Sequence, residues 1–387
     1  MEANSVTGPA KNLIGFCRWT RSPEAAALGF NIETSIATFC REPDDGSNNA
    51  FVQAARSAGI PVHSIRERFR FDPHVRPQMA EAVKAVRPDV VQTHNVKSHF
   101  LFKSLGSPQA PWLAFQHGYT DTDLKMKLYN QLDRWSLRSA DRVVTVCSAF
   151  IPKLVSYGVP AGRVRVLHNS VKPQQPIPPS VQEECRTRFR LGAEDPVILT
   201  IGRFSKEKGH ADLVAALGRL QTASPGLRWK AVFVGAGPEQ VNIEASIVRH
   251  GLSDRVVLAG FHSNVAPFYA VAQVFVLQSH SEGSSNVLLE AMSAKVPIIA
   301  TRVGGTPEIV SDEETALLVP PRDPDAMGRA LHRMLADAPL RRRLSEAACE
   351  RARTAFSPEQ YMHSLTAIYC DALAIPTDAS LYSNSVV

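Results

Sequence analysis

A chain of 387 residues is too long for one comfortable hydrophobic core and suits two domains of ordinary size. Apolar residues make up 44% of it, a normal balance for a globular protein, yet no run of about 18 apolar residues occurs, which excludes a transmembrane helix. All of the +6 net charge lies in the first half, where residues 1–170 carry 21 Lys and Arg against 14 Asp and Glu; the remainder carries 22 against 23. A basic first half suits an anionic membrane surface or a phosphorylated acceptor, and equally a solvated loop such as Arg66-Glu67-Arg68-Phe69-Arg70. No nucleic-acid motif accompanies the charge. Met1 to Ser5 lack a basic start followed by an apolar block, so no signal peptide is expected. Cys17, Cys40, Cys147, Cys185, Cys349 and Cys370 are scattered without a C-x-x-C pair and read as reduced, structural thiols of a cytoplasmic protein.

Thr7-Gly8-Pro9-Ala10 followed by Leu13, Ile14 and Phe16 looks like the glycine loop and first helix of a doubly wound domain. A strand should precede that loop, and only Met1 to Val6 is available. Either that strand is very short or the chain begins part-way through it, so a truncated reading frame stays open. Short strands are then expected at Thr34–Phe39, around Ile60–Val62, at Asp89–His94, Trp112–His117, Asp141–Val146 and Arg165–Leu167, with helices at Pro77–Val86 and Leu124–Ser139. The proline-rich stretch from Val171 to Pro179 resists helix and marks a boundary. Beyond it the alternation resumes, with strands at Val197–Ile201, Lys230–Val234, Val256–Leu258, Val274–Leu277 and Pro297–Ala300. In open parallel sheets ligands bind outside the carboxyl ends of the strands, where the polar clusters of this chain fall.

The richest cluster is Ser281-Glu282-Gly283-Ser284-Ser285-Asn286-Val287-Leu288-Leu289-Glu290, between the strand Val274–Leu277 and a helix from Val287. The first-turn N–H groups of that helix and its dipole suit an anion. Helical geometry puts Val287, Leu288, Ala291 and Met292 on the buried stripe and Asn286, Glu290 and Ser293 on the opposite edge. A carboxylate beside a bound phosphate can take hydrogen bonds from sugar hydroxyls, so the parts suit a nucleotide sugar. Gly202-Arg203-Phe204-Ser205-Lys206-Glu207-Lys208-Gly209 follows the strand Val197–Ile201, and Arg203 with Lys208 can neutralise a diphosphate as it leaves. Gly235-Ala236-Gly237-Pro238-Glu239 is a glycine turn where backbone comes close to something. In the first half, His94, Lys97 and His117 stand at strand ends.

These segments resemble the GT4 family of retaining glycosyltransferases: E-x7-E at Glu282 and Glu290, G-R-x-x-x-x-K-G at Gly202 to Gly209, G-x-G-P-E at Gly235 to Glu239, then Arg302 to Glu308 and Ala316 to Pro321. The resemblance spans nearly the whole chain and implies an α/β, GT-B fold, two Rossmann-like domains facing across a cleft. The implied division is an acceptor-side domain over 1–170, a linker over 171–180, a nucleotide-sugar domain over 181–355, a helix over 356–375 returning to the first domain, and a tail over 376–387. It implies metal-independent, retaining transfer of a hexose-type sugar from a UDP- or GDP-sugar to a glycan, lipid-linked or small-molecule acceptor, with no cofactor. Arg203 and Lys208 would hold the leaving diphosphate, Gly202, Gly235, Gly237 and the backbone of Ser284, Ser285, Asn286 and Val287 would complete the donor cradle, Glu290 would grip the ribose, and Glu282 and His117 the sugar hydroxyls. Gly8, His94 and Lys97 would lie on the acceptor side, and Asn169 would be a hinge residue. Asp121-Thr122-Asp123 fits the D-x-D of metal-dependent transferases but lies far from Arg203 and reads as a solvated loop, so no metal is expected. A nucleotide-sugar 2-epimerase, a phosphorylase and an impaired, truncated pseudo-transferase remain alternatives, and peripheral contact with an anionic membrane at its inner face stays open.

Overall fold

The computed structural model describes residues 8–376 except 29, 42–48, 70–71, 107–109 and 119–123. Asp121-Thr122-Asp123, the segment before Gly8 and the tail from 377 therefore lie outside the described residues. The chain divides into two compact units, residues 1–169 with 358–387, and residues 170–357.

In the first unit β1 (Ile36–Arg41) pairs with β2 (Val62–Glu67), and a second sheet runs β3 (Val91–Thr93), β4 (Trp112–Gln116), β5 (Arg142–Thr145) and β6 (Val164–Val166). Every pair is parallel. The edges differ from the sequence reading by a residue or two, because pairing rather than composition ends a strand, and Thr34 and Ser35 lie ahead of β1; the exception is β2, which runs on to Glu67, five residues past the expected Val62, so that Arg66 and Glu67 pair with β1 and are not part of a solvated loop. Val75–Val86 is a helix that stops where Arg87 adopts a left-handed φ of 48° directly before Pro88, which disfavours helix at its predecessor. The helix Pro358–Leu373 belongs to this unit. Its Tyr361, Met362, Leu365 and Ile368 join Phe16, Leu113, Phe115, Val144 and Leu167 in one core. Asp371 fastens its end to β5 and β6 through Arg142 at 2.6 Å and Arg165 at 2.9 Å.

The second unit holds a six-stranded sheet of β7 (Val197–Ile201), β8 (Lys230–Val234), β9 (Val256–Gly260), β10 (Val274–Leu277), β11 (Ile298–Thr301) and β12 (Leu317–Val319), in the order β12-β11-β10-β7-β8-β9. Its central strands are buried on both faces, which is why they read as unbroken apolar runs. The strand order reverses between β7 and β10, the position where doubly wound sheets open a crevice at their carboxyl ends. The proline-rich stretch is no free linker. The N–H of Gln174 donates to Ser293 Oγ at 2.9 Å, and Ser293 Oγ donates to the Lys172 carbonyl at 3.0 Å.

Candidate functional site

The loops after β7 and β10 carry most of the polar groups singled out in the sequence, and hydrogen bonds lock the two together. Thr200 on β7 donates to Gln278 Oε1 at 2.9 Å, Gln278 Nε2 donates to the Lys208 carbonyl at 3.0 Å, and the N–H of His280 donates to the Glu207 carbonyl at 2.8 Å. His280 also meets Asp212 at 2.7 Å. This lacing brings Lys208 Nζ to 2.7 Å from Glu282 Oε1. Glu282 is buried at 7% exposure and takes a second hydrogen bond from Ser279 Oγ at 2.5 Å. A buried carboxylate demands such partners, since an unpaired one costs several kcal/mol. Arg203 stays exposed and, among the described residues, no hydrogen bond or ion pair holds its guanidinium.

The helix Asn286–Ser293 starts at Ser285 without a side-chain cap, so the Ser285 hydroxyl does not occupy its first-turn N–H groups. Its buried side chains are Leu288, Leu289, Ala291 and Met292, which replaces the expected stripe at one position: Leu289 is fully buried and Val287 only partly. The helix is covered by the sheet on one side and by the helix Ala338–Ala355 on another, so its apolar arc is wider than a single stripe. Each buried leucine contributes about 1.5–3 kcal/mol. Glu290 sits at the edge of this arc, where the Tyr269 hydroxyl donates to it at 3.2 Å. Burial and the neighbouring Glu290 carboxylate push the Tyr269 phenol well above its ordinary range.

The glycines after β8 approach backbone rather than open space. At Gly235 φ is +149°, and a Cβ there would lie 1.9 Å from the Gly202 carbonyl; a Cβ on Gly237 would lie 2.3 Å from that of Phe204. Their role is to press the β8 loop onto the β7 loop and so shape the backbone around Arg203. Among the described residues a Cβ on Gly202 would meet nothing within 4 Å, so of the glycines in these two loops Gly202 has room beside it where Gly235 and Gly237 have none. Gly304, in the loop after β11, likewise leaves space for the Glu282 carbonyl.

In the first unit His94 follows β3, directly before the capping box of Asn95 and Ser98, and His117 follows β4. Their rings are 5° from parallel, with His94 Nδ1 3.3 Å from His117 Nε2. Burial holds both below the ordinary histidine value, His117 at about 4 and His94 well below, so both are neutral at pH 7. Together with Asn12, Thr145, Asn169 and Tyr361 they line a small cavity.

Two family descriptions match the chain: residues 25–175 match Glycosyltransferase Family 4, and residues 181–351 match Glycosyl transferases group 1. The chain belongs to the GT4-type, group 1 glycosyltransferases. It is 26% identical over 319 residues to N-acetyl-alpha-D-glucosaminyl L-malate synthase of Bacillus anthracis, covering 81% of this chain and 83% of the relative. It is 34% identical over 190 residues to the lipopolysaccharide core biosynthesis glycosyltransferase LpsE of Rhizobium meliloti, 49% of this chain and only 53% of the relative. The solved structure of Anabaena HepE in complex with UDP superposes with a TM-score of 0.75 at 18% identity, covering 96% of this chain and 98% of HepE, and shows the shared GT-B fold.

In this glycosyltransferase the structure brings Lys208 and Glu282 into direct contact and keeps Arg203, Gly202 and the start of the helix Asn286–Ser293 on loops of the same sheet. It also brings His94 and His117 together. Gly8 opens the helix Gly8–Trp19. Lys97 is engaged elsewhere than at the histidines: its ammonium lies 2.9 Å from the buried Glu67 and 4.3 Å from the centre of the Phe39 ring. These contacts give Lys97 a structural part in the first unit. Asn169 accepts from Asn12 Nδ2 at 3.2 Å. Sequence reasoning missed Tyr269, Ser279 and Gln92. Ser279 sits three residues before Glu282 and was legible as a neighbour, whereas Tyr269 and Gln92 meet their partners only through packing.

Proposed function

We propose that this glycosyltransferase moves a hexose-type sugar from a UDP- or GDP-sugar to a glycan, lipid-linked or small-molecule acceptor, with retention at the anomeric carbon and without metal. The observation that supports this reading is that an exposed Arg203 and a Lys208 paired to Glu282 share the loop after β7, at the reversal of strand order, while the neighbouring strand β10 leads to a helix whose N-cap residue Ser285 makes no side-chain cap. Two cations and a helix N-terminus neutralise a diphosphate and stabilise it as it leaves, a duty otherwise met by a metal ion. Lys208 would move from Glu282 to the diphosphate when donor binds, and Glu282 would turn to the sugar's hydroxyls. Glu290, held by Tyr269, would grip the ribose, and the histidines of the first unit would meet neutral hydroxyls. HepE, of the same fold, is named in complex with UDP-glucose, which favours a uridine nucleotide.

Relatives named for lipopolysaccharide core biosynthesis favour a glycan or lipid-linked acceptor. Among the described residues no helix is long and apolar enough to cross a membrane. The half-exposed Trp135, with Phe100 beside it and Lys103 over its ring, suits peripheral contact with an anionic membrane. The test is incubation with UDP-glucose or GDP-mannose and candidate acceptors in excess EDTA, read by proton NMR of the new anomeric signal. An α-linked product from an α-linked donor supports the reading. An inverted product, or transfer that stops with EDTA and returns with a divalent ion, overturns it.

A further inference from the structure

We propose that Tyr369 and Gln92 set the tautomer of His94 and, through it, that of His117, so that His117 meets its substrate as a hydrogen-bond donor and not as a base. The inference rests on the reading above, which places His117 at sugar hydroxyls. Four side chains from three elements form one chain of hydrogen bonds: Tyr369 on the helix Pro358–Leu373, Gln92 on β3, and the two histidines at the ends of β3 and β4.

The direction of that chain follows from what each group can give. Among the described residues, Gln92 Oε1 is the hydrogen-bond partner of the Tyr369 hydroxyl, and a phenol O–H donates to an amide oxygen. With its oxygen so used, Gln92 turns its Nε2 to His94 Nε2 at 2.6 Å. An amide N–H can only donate, so His94 Nε2 must be bare, and the proton of the neutral ring sits on Nδ1. That Nδ1–H faces His117 Nε2 at 3.3 Å, which makes His117 Nε2 the acceptor and puts its own proton on Nδ1. A cationic ring at either place would set N–H against N–H. The depressed basicity of both rings agrees with two neutral imidazoles.

The consequence is chemical. The one bare nitrogen of His117 is occupied by His94, so the ring has none to offer an acceptor proton. What it offers is Nδ1–H, beside a cavity with room for about one water, lined also by Asn12, Asn169, Tyr361 and a Thr145 hydroxyl that is buried without a partner among the described residues. Such a site gives a hydrogen bond to a hydroxyl oxygen and leaves proton removal to the departing diphosphate. Gln92 and Tyr369 act as positioning residues.

The test uses full-length protein labelled with ¹⁵N-histidine, without substrate, at pH 7.5. Long-range ¹H–¹⁵N spectra report the tautomer, with His94→Asn and His117→Asn used for assignment. Both rings are expected as Nδ1–H. Gln92→Glu should reverse the chain, because a carboxylate accepts from both Tyr369 and His94, and both rings should become Nε2–H. Transfer by Gln92→Glu should fall about tenfold in kcat, the loss of one hydrogen bond to the substrate. Tyr369→Phe keeps the ring in place and should yield mixed tautomers, so it carries the test if Gln92→Glu does not fold. Nε2–H at His117 in the wild type, or unchanged tautomers in Tyr369→Phe, overturns the proposal. A wild type with both rings as Nδ1–H that transfers no sugar supports the relay and counts against the proposed function alone.

Discussion

The two units prepare polar groups in opposite ways. The second unit gathers charge: Lys208 is paired with a buried Glu282, and Arg203 is open to solvent. The first unit gathers neutral donors and acceptors: burial strips His94 and His117 of charge, and Asn12, Asn169 and Thr145 surround them. A charged pocket is suited to an anion, whereas a neutral, hydrogen-bonding pocket is suited to hydroxyls, which gain little from a full charge and lose much from a missing partner. Even the ion pairs differ in purpose. Lys208–Glu282 joins the loops after β7 and β10, while Lys97–Glu67 is packed against Phe39's ring and backed by Arg41 at 3.3 Å.

The comparison is broken most sharply by Lys208→Ala, expected to lower transfer by about 100- to 1000-fold, the scale seen when a stabiliser of developing charge is removed, and next by Glu290→Ala, expected to lower kcat/KM by about 10- to 100-fold through the lost charged hydrogen bonds to the ribose. Lys208→Ala should also lower the melting temperature by orphaning Glu282, and Lys208→Ala combined with Glu282→Gln should restore stability without restoring transfer. Near-normal turnover in the single variants would sink the donor-site assignment. Next in size is donor recognition. UDP at about 100 times its Kd should raise stability by roughly 2.7 kcal/mol, a shift of several degrees read by thermal melting against GDP. A response to neither nucleotide would remove the anion site from the second unit.

Lys97→Ala should cost about 1–3 kcal/mol in urea unfolding, softened by Arg41, while transfer stays within about twofold; a large loss of kcat would return Lys97 to the acceptor side. The smallest expected effect concerns pH. His94 and His117 in the first unit and His210 in the second all titrate lower when folded than the ordinary 6.5, the latter two at about 4. The unfolded chain therefore binds protons first, so stability is fully present above about pH 6.5 and is lost as pH falls toward 4. His210 packs against Phe204 and Phe233 with both ring nitrogens unpartnered among the described residues, so His210→Leu should flatten this slope in unfolding midpoints measured from pH 7 to 4.5.

Much of the second unit was legible because its signals are local. β7, β8 and β10 begin and end where their apolar runs do, and Arg203, Lys208 and Glu282 lie within a few residues of those ends. The meaning of Gly235 was half legible. A glycine there announced close approach, but only packing shows that the approaching group is the Gly202 carbonyl. In the first unit the strands were legible to within a residue or two except β2, whose charged end at Arg66 and Glu67 read as loop; the partner of Lys97 was not legible, since a lysine after a strand looks alike whether it faces a ligand or a buried glutamate.

The amino-acid sequence by itself determined the parallel α/β alternation, the position of the polar loops at the strand ends and the kinds of side chain they carry, because periodicity, glycine turns and apolar runs act over a handful of residues. Tertiary structure decided partnership. Lys208 meets Glu282 across 74 residues, and Tyr369 meets Gln92 across 277. Whether a lysine is spent on a buried carboxylate, and which nitrogen of a histidine carries its proton, depend on the group packed against it, and folding alone supplies that group.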